Sequence, residues 1–218
     1  MTKWVWIVAG PNGAGKSTHT AKVIANFQAA GVLESEIVKL NADERTAELR
    51  KQFPDRSERE LNLQAAQEID AAFAKHIAED TPYIVVETVL SSTKYQDDVL
   101  NAKRRGYKIG LTYVSVYPPE LILGRIENRV AKGGHNVDAE TALDRYQRSH
   151  ENLVWFGQHS DRLFALDNSR DKERGPVVVA MKEVGKKLVH KVKGCNLSLD
   201  KAIRSLQKIR PYNPKPSP

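Results

Sequence analysis

One cysteine, Cys195, stands in the whole chain, so no disulfide can form within it. No apolar run approaches the length that a membrane-spanning helix requires. The N-terminal apolar stretch, Trp4-Val5-Trp6-Ile7-Val8, is short and leads into Ala9-Gly10-Pro11 instead of a small-residue cleavage site. Internal repeats and low-complexity domains are missing as well, and 218 residues suit one α/β domain of ordinary size. Together these absences lead us to expect a cytoplasmic protein with no membrane partner. Net charge is also scarce over most of the chain: Met1 to Met181 carries 24 Lys+Arg against 25 Asp+Glu, whereas Lys182 to Pro218 carries 10 against 2. The formal +7 is therefore a property of the C-terminal segment. Such a segment can bind RNA, DNA or an acidic partner, although charge-rich tails are more often simply solvated.

What the chain does have is the stretch Gly10-Pro11-Asn12-Gly13-Ala14-Gly15-Lys16-Ser17-Thr18, directly behind the apolar run. It fits G-x-x-x-x-G-K-[ST], a glycine-rich turn whose successive backbone N–H groups point into one concavity and cradle phosphate oxygens. The helix that follows adds its positive N-terminal end. Lys16 is expected to reach the β- and γ-phosphates of ATP or GTP, and the Ser17 hydroxyl to be a ligand of the Mg2+ ion bridging them. An ABC-type ATPase would add an LSGGQ-like signature and a GTPase an Asn-Lys-x-Asp motif; neither is present.

Strand and helix patterns alternate behind this loop. A helix is expected from about Lys16 to Ala29 and a short strand over Ile37 to Leu40, ending at Asn41-Ala42-Asp43-Glu44. Ser57 and Glu60 make a capping-box pattern for a helix to Ala78, with Leu61, Ala65, Ile69 and Phe73 at helical spacing. Tyr83-Ile84-Val85-Val86 reads as a buried parallel strand. A polar helix from Thr93 to Arg105, a strand from Tyr107 to Val116 and a helix opening at Pro118-Pro119 and running to about Lys132 follow. Gly133-Gly134-His135 breaks that helix, Ala139 to about Trp155 forms another, and Arg162 to Leu166 is the last core strand. The alternation predicts an α/β fold, a mostly parallel sheet flanked by helices. Beyond it, Val177–Met181 and Lys187–Val192 are expected to pair as a hairpin and Ser198 to Lys208 to form a closing helix. The organisation expected is thus residues 1–181 as the phosphate-loop domain, 182–208 as its basic extension and 209–218 as a disordered tail.

Ligands of such sheets collect outside the carboxyl ends of the strands, which directs attention to Asp43, Glu87-Thr88 and Asp167-Asn168. Asp43 suits a general base, because phosphoryl transfer to an alcohol needs a carboxylate that takes the hydroxyl proton; it equally suits a helix N-cap. Glu87 ends an apolar run and suits either a substrate hydroxyl or a magnesium-bound water. Asp167-Asn168 suits either a place near the nucleobase or the start of a loop. Arg125 and Arg129 share one helix face, Arg145 and Arg148 another, with the glycine hinge and His135 between them. That makes either a lid closing over the triphosphate or two solvated faces.

The segments "AGPNGAGKST", "NADE", "ETVLSS" and "RIENRVAKGGHNVDAETALDRYQRSHENL" together resemble the zeta toxin family of P-loop kinases, over roughly Trp4 to Asn168. Characterised zeta toxins phosphorylate the 3′-hydroxyl of the amino sugar of UDP-N-acetylglucosamine. The resemblance implies that Lys16 and Ser17 bind triphosphate and magnesium, that Asp43 is the catalytic base and that Glu87 and Thr88 face the sugar. It further implies that Arg125, Arg129, Arg145 and Arg148 supply lid arginines and that an antitoxin is a candidate partner. Ala42 and Asp138 stand where many members have proline, and Ser91-Ser92 where many have Ser-Gly. Alternative expectations are a kinase acting on NAD, a nucleoside or a polynucleotide, and a nucleotide-binding regulator that contacts nucleic acid through the basic segment.

Overall fold

The computed structural model describes residues 2–131, 137–170, 175–193 and 196–209. In chain order the elements are β1 (Trp4–Ala9), α1 (Lys16–Ala29), a single 3-10 turn (Glu34–Glu36), β2 (Ile37–Asn41), α2 (Ala42–Gln52) and α3 (Glu58–Ala78). They continue with β3 (Tyr83–Thr88), α4 (Gln96–Arg104), β4 (Lys108–Ser115), α5 (Leu121–Val130), α6 (Ala139–His159) and β5 (Arg162–Asp167). β6 (Val177–Lys182), β7 (Val189–His190) and α7 (Leu197–Lys208) complete the described chain.

The strands form one sheet in the order β2-β3-β1-β4-β5-β6-β7. The first five are mutually parallel, while β6 and β7 are added antiparallel. The apolar β-branched runs lie where both sheet faces are covered. Along β1 the pleat sends Val5, Ile7 and Ala9 into one core with Phe73, Val99, Phe156 and Ile203, and Trp6 and Val8 into another with Val23 of α1. Helices α3, α4 and α6 therefore cover one face and α1 the other, and α7 packs against α6.

Differences from the sequence pattern have local causes. The polar helix α2 enters the sequence pattern only through the capping alternative for Asp43, since Ala42 to Gln52 has no apolar stripe. It is held by its ends: the Asn41 side chain accepts from Asp43 N and Glu44 N, Asp43 and Glu44 occupy the first turn and Arg50 and Lys51 the last. Helix α4 starts at Gln96 instead of Thr93, and α5 at Leu121 instead of at the prolines, which make turns accepting from Leu121 N and Ile122 N. Helix α6 runs four residues beyond Trp155, because buried Phe156, Gly157 and His159 extend its core-facing stripe. The capping box at Ser57 and Glu60 is present, with each group bonding the other's backbone N–H. The Gly133-Gly134-His135 hinge, Cys195 and the tail from Arg210 lie outside the described residues.

Candidate active site

Parallel register brings the carboxyl ends of five strands to one edge. Val8 of β1 is level with Glu87 of β3 and Thr112 of β4, Glu87 is level with Asn41 of β2, and Thr112 with Phe164 of β5. The phosphate loop after β1, Asp43 after β2, Glu87-Thr88 and Asp167-Asn168 consequently all emerge at the same rim.

The loop itself is set by glycine backbone. Gly10, Gly13 and Gly15 have φ of 142°, 71° and 95°, values that L side chains rarely adopt. A Cβ on Gly10 would collide with the Val114 carbonyl, and one on Gly15 would sit 2.7 Å from Asn168 Nδ2. Helices α2, α3, α6 and α7 each begin with a side chain that accepts a first-turn N–H, whereas α1, at Gly15, and α4, at Tyr95, begin with no side-chain cap; of these two, α1 follows the glycine-built loop. Its first-turn N–H groups have no intrahelical acceptor, which suits an anion. Lys16 Nζ donates to Pro11 O at 3.1 Å, folding back across the loop.

Other segments brace the loop from outside. Asn168 Nδ2 donates to Ala14 O at 2.8 Å, and Arg125 donates to Gly13 O at 3.4 Å and to Asn168 O at 2.8 Å. Arg125 thus lies beside the phosphate loop. Arg148 donates to Asp144 at 2.5 Å with its side chain 49% exposed, on the solvent side of α6. Arg145 is half-buried near Asp138, whose carboxyl is held low first by hydrogen bonds from Thr141 and least by Arg145. The Arg129 side chain lies outside the described part of the structure. Where many zeta toxins carry prolines, Asp138 caps α6 through Thr141 N at 3.0 Å, and Ala42 is the first residue of α2, a position that accepts proline.

Asp43 is exposed at the second position of α2, and its N–H donates to Asn41 Oδ1 at 2.9 Å. The N-cap of α2 is therefore Asn41, which corrects the capping alternative for Asp43. Glu87 is engaged by α1: Ser17 Oγ donates to its Oε1 at 2.9 Å and Thr20 Oγ1 to its Oε2 at 2.7 Å. Its carboxylate therefore faces the hydroxyl expected to carry magnesium. Thr88 Oγ1 accepts from Leu90 N at 3.1 Å, supporting a turn in which Leu90 has φ of 61°. Ser17 Oγ is a hard oxygen donor of the kind magnesium takes, and the Glu87 carboxylate 2.9 Å away is an acceptor for a water on such an ion, whose coordination phosphate and water oxygens complete.

A buried polar chain behind the rim has no counterpart in the sequence pattern. Asn196 Nδ2 donates to Ser115 Oγ at 3.0 Å and to Asp167 Oδ1 at 3.3 Å, and Ser115 Oγ lies 2.8 Å from His150 Nε2. His150 Nδ1 lies 2.8 Å from Tyr146 O, a carbonyl that can only accept, so Nδ1 carries the proton and Nε2 accepts from Ser115. Burial lowers the His150 pKa to about 4, which keeps the ring neutral. Asp167 Oδ1 also accepts from Ser169 N and Ser169 Oγ, so Asp167 organises the turn that presents Asn168 to the phosphate loop. No cue along the chain marks this arrangement; its members come from β4, α6, β5 and the segment before α7.

The family model AAA_33, described as AAA domain, matches residues 5–153. An uncharacterized protein of Haemophilus influenzae is 27% identical over 153 residues, 67% of this chain and 99% of that protein. Among solved structures, a chain of the AvrRxo1-ORF1:-ORF2 crystal structure with ATP superposes with a TM-score of 0.68 at 17% identity, covering 94% of this chain. This chain spans 64% of that one. A chain from the PezAT chromosomal toxin-antitoxin system of Streptococcus pneumoniae has a TM-score of 0.55 at 16% identity, covering 81% of this chain and 71% of its own. The architecture is a P-loop kinase fold. Among the described residues no helix is long and apolar enough to cross a membrane.

Proposed function

The chain belongs to the AAA domain family, and from that premise we propose that it is a P-loop phosphotransferase of the zeta toxin type. It transfers the γ-phosphate of ATP or GTP to a hydroxyl of a small nucleotide-containing acceptor, with UDP-N-acetylglucosamine the first candidate. The observation that carries this reading is the meeting of Ser17 and Glu87 at 2.9 Å beside an uncapped, glycine-built phosphate loop, with Asp43 at the same rim.

In this mechanism the loop N–H groups and Lys16 hold the β- and γ-phosphates and spread their charge as the terminal P–O bond lengthens. Asp43 accepts the proton of the acceptor hydroxyl while its oxygen attacks the γ-phosphorus, and the nucleoside diphosphate leaves with the electrons of the broken bond. Magnesium, when bound with the nucleotide, neutralises phosphate charge; Ser17 is the residue that holds it and Glu87 orients its water. Arg125 keeps the loop shaped by fixing Gly13 O, and Arg145 and Arg129 are the remaining candidates for closing over the triphosphate. The basic segment 182–208 is proposed as part of the same domain. The pneumococcal neighbour comes from a toxin-antitoxin system, which supports the further proposal that an antitoxin restrains this chain.

The test is incubation of the full chain with ATP and Mg2+ and a panel of UDP-sugars, NAD, nucleosides and oligonucleotides, read by mass spectrometry. The expected product is UDP-N-acetylglucosamine heavier by one phosphate. A phosphate on another member of the panel reassigns the acceptor, and no phosphate on any hydroxyl, with nucleotide bound, refutes the kinase reading.

A further inference from the structure

Glu87 has two carboxylate oxygens and the structure accounts for both, yet only the contact with Ser17 belongs to the chemistry proposed above. The other oxygen accepts from Thr20, which is 1% exposed and one helical turn beyond Ser17 on the same face of α1. Thr20 Oγ1 also lies 3.3 Å from Lys16 O, the usual back-bond of a helical threonine, but its 2.7 Å contact with the carboxylate is shorter and charge-assisted. A hydroxyl has a single proton, and this geometry commits it to Glu87.

We propose that Thr20 is a positioning residue for the divalent cation: by holding Oε2 it fixes the rotation of the Glu87 carboxylate, so that Oε1 faces Ser17 and the ion that Ser17 carries. The inference rests on the kinase reading, because it needs Ser17 to meet a nucleotide-bound cation. A carboxylate tied at one oxygen and presented at the other is pre-oriented to accept from a cation-bound water. Untied, Glu87 samples other rotamers and weakens the site. Groups that orient metal ligands in this way typically change metal affinity about 10- to 100-fold when removed. Burial of Thr20 keeps water from replacing its hydroxyl.

The experiment measures binding of a fluorescent ATP analogue to the full chain while Mg2+, and separately Mn2+, is titrated. Thr20→Val removes the hydroxyl and keeps the branched shape; Thr20→Ala serves where valine does not pack, with circular dichroism confirming the fold. The expected result is a cation midpoint raised about tenfold or more, unchanged affinity for the cation-free nucleotide, and recovery to within about threefold in Thr20→Ser. Glu87→Gln should raise the same midpoint, and Thr20→Val added to it should raise it little further, because the two act as one unit. An unchanged midpoint in Thr20→Val, or an equal loss with and without cation, overturns the assignment while leaving the kinase reading standing. Failure of the wild-type chain to bind the nucleotide at all overturns both.

Discussion

The two sides of the candidate site are built differently. On the proposed donor side the phosphate loop is tied down. Glycine backbone sets the phosphate loop, Asn168 and Arg125 hold its carbonyls, and Ser17, Thr20 and Glu87 lock β3 to α1. Toward the proposed acceptor Asp43 is exposed in the first turn of the polar helix α2, and Thr88 serves its own turn. A phosphate loop braced by several segments beside an exposed carboxylate fits the proposed division between one constant chemical task, holding phosphates, and one that varies, choosing a hydroxyl.

The largest expected effect is on the donor side. Lys16→Ala should leave circular dichroism and thermal unfolding near wild type and lower phosphotransfer by several hundredfold, since one preorganised charge on the transferring group is worth about 10²–10³ in kcat. Retained turnover would dissolve the contrast. Asp43→Asn probes the other side: with Asn41 already capping α2, stability should not change, while transfer to the acceptor falls about a hundredfold and nucleotide affinity holds. Full activity in that variant would leave the acceptor side without its base.

The third expectation concerns the buried support behind the rim. His150 titrates near 6.5 when unfolded and about 4 when folded, so between those values the unfolded chain binds more protons than the folded one. Stability should therefore rise with pH from about 4 to 6.5 and level off above. About 2 kcal/mol should be lost on moving from pH 7 to 4.5, measured by urea unfolding. His19 and His159 are also lowered by burial and act with the same sign. His150→Asn should flatten most of the slope; an unaltered slope would place the protons elsewhere. The smallest effects separate two arginines. Arg125→Ala should reduce kcat about tenfold by loosening the loop, whereas Arg148→Ala should leave kcat unchanged and stability within about 0.5 kcal/mol, as exposed i,i+4 pairs contribute little. Equal losses in both would return Arg148 to the lid.

Much of this was legible along the chain, for identifiable reasons. Gly10, Gly13 and Gly15 announce a positive-φ loop because nothing else fits there, and β-branched runs such as Tyr83–Val86 announce parallel strands because both faces are buried. The α2 helix left only a capping cue at Asp43, because its signal lies in the cap and charge pattern of Asn41, Asp43, Glu44, Arg50 and Lys51, not in apolar spacing. Glu87 could be singled out as a carboxylate ending an apolar strand, but its partners are hydroxyls of α1, near the start of the chain. A contact between residues 70 apart has no local trace.

The sequence by itself determined the phosphate loop, the α/β alternation and the location of the excess charge, all of which follow from backbone preferences and periodicity acting within a few residues. Only the tertiary structure decided which way Glu87 faces, that Thr20 shares it, that Arg125 and Asn168 brace the loop, and that Asn196 reaches Ser115 and Asp167. Those choices arise when parallel strands set a common register and bury polar groups that must then find partners wherever the fold has brought them.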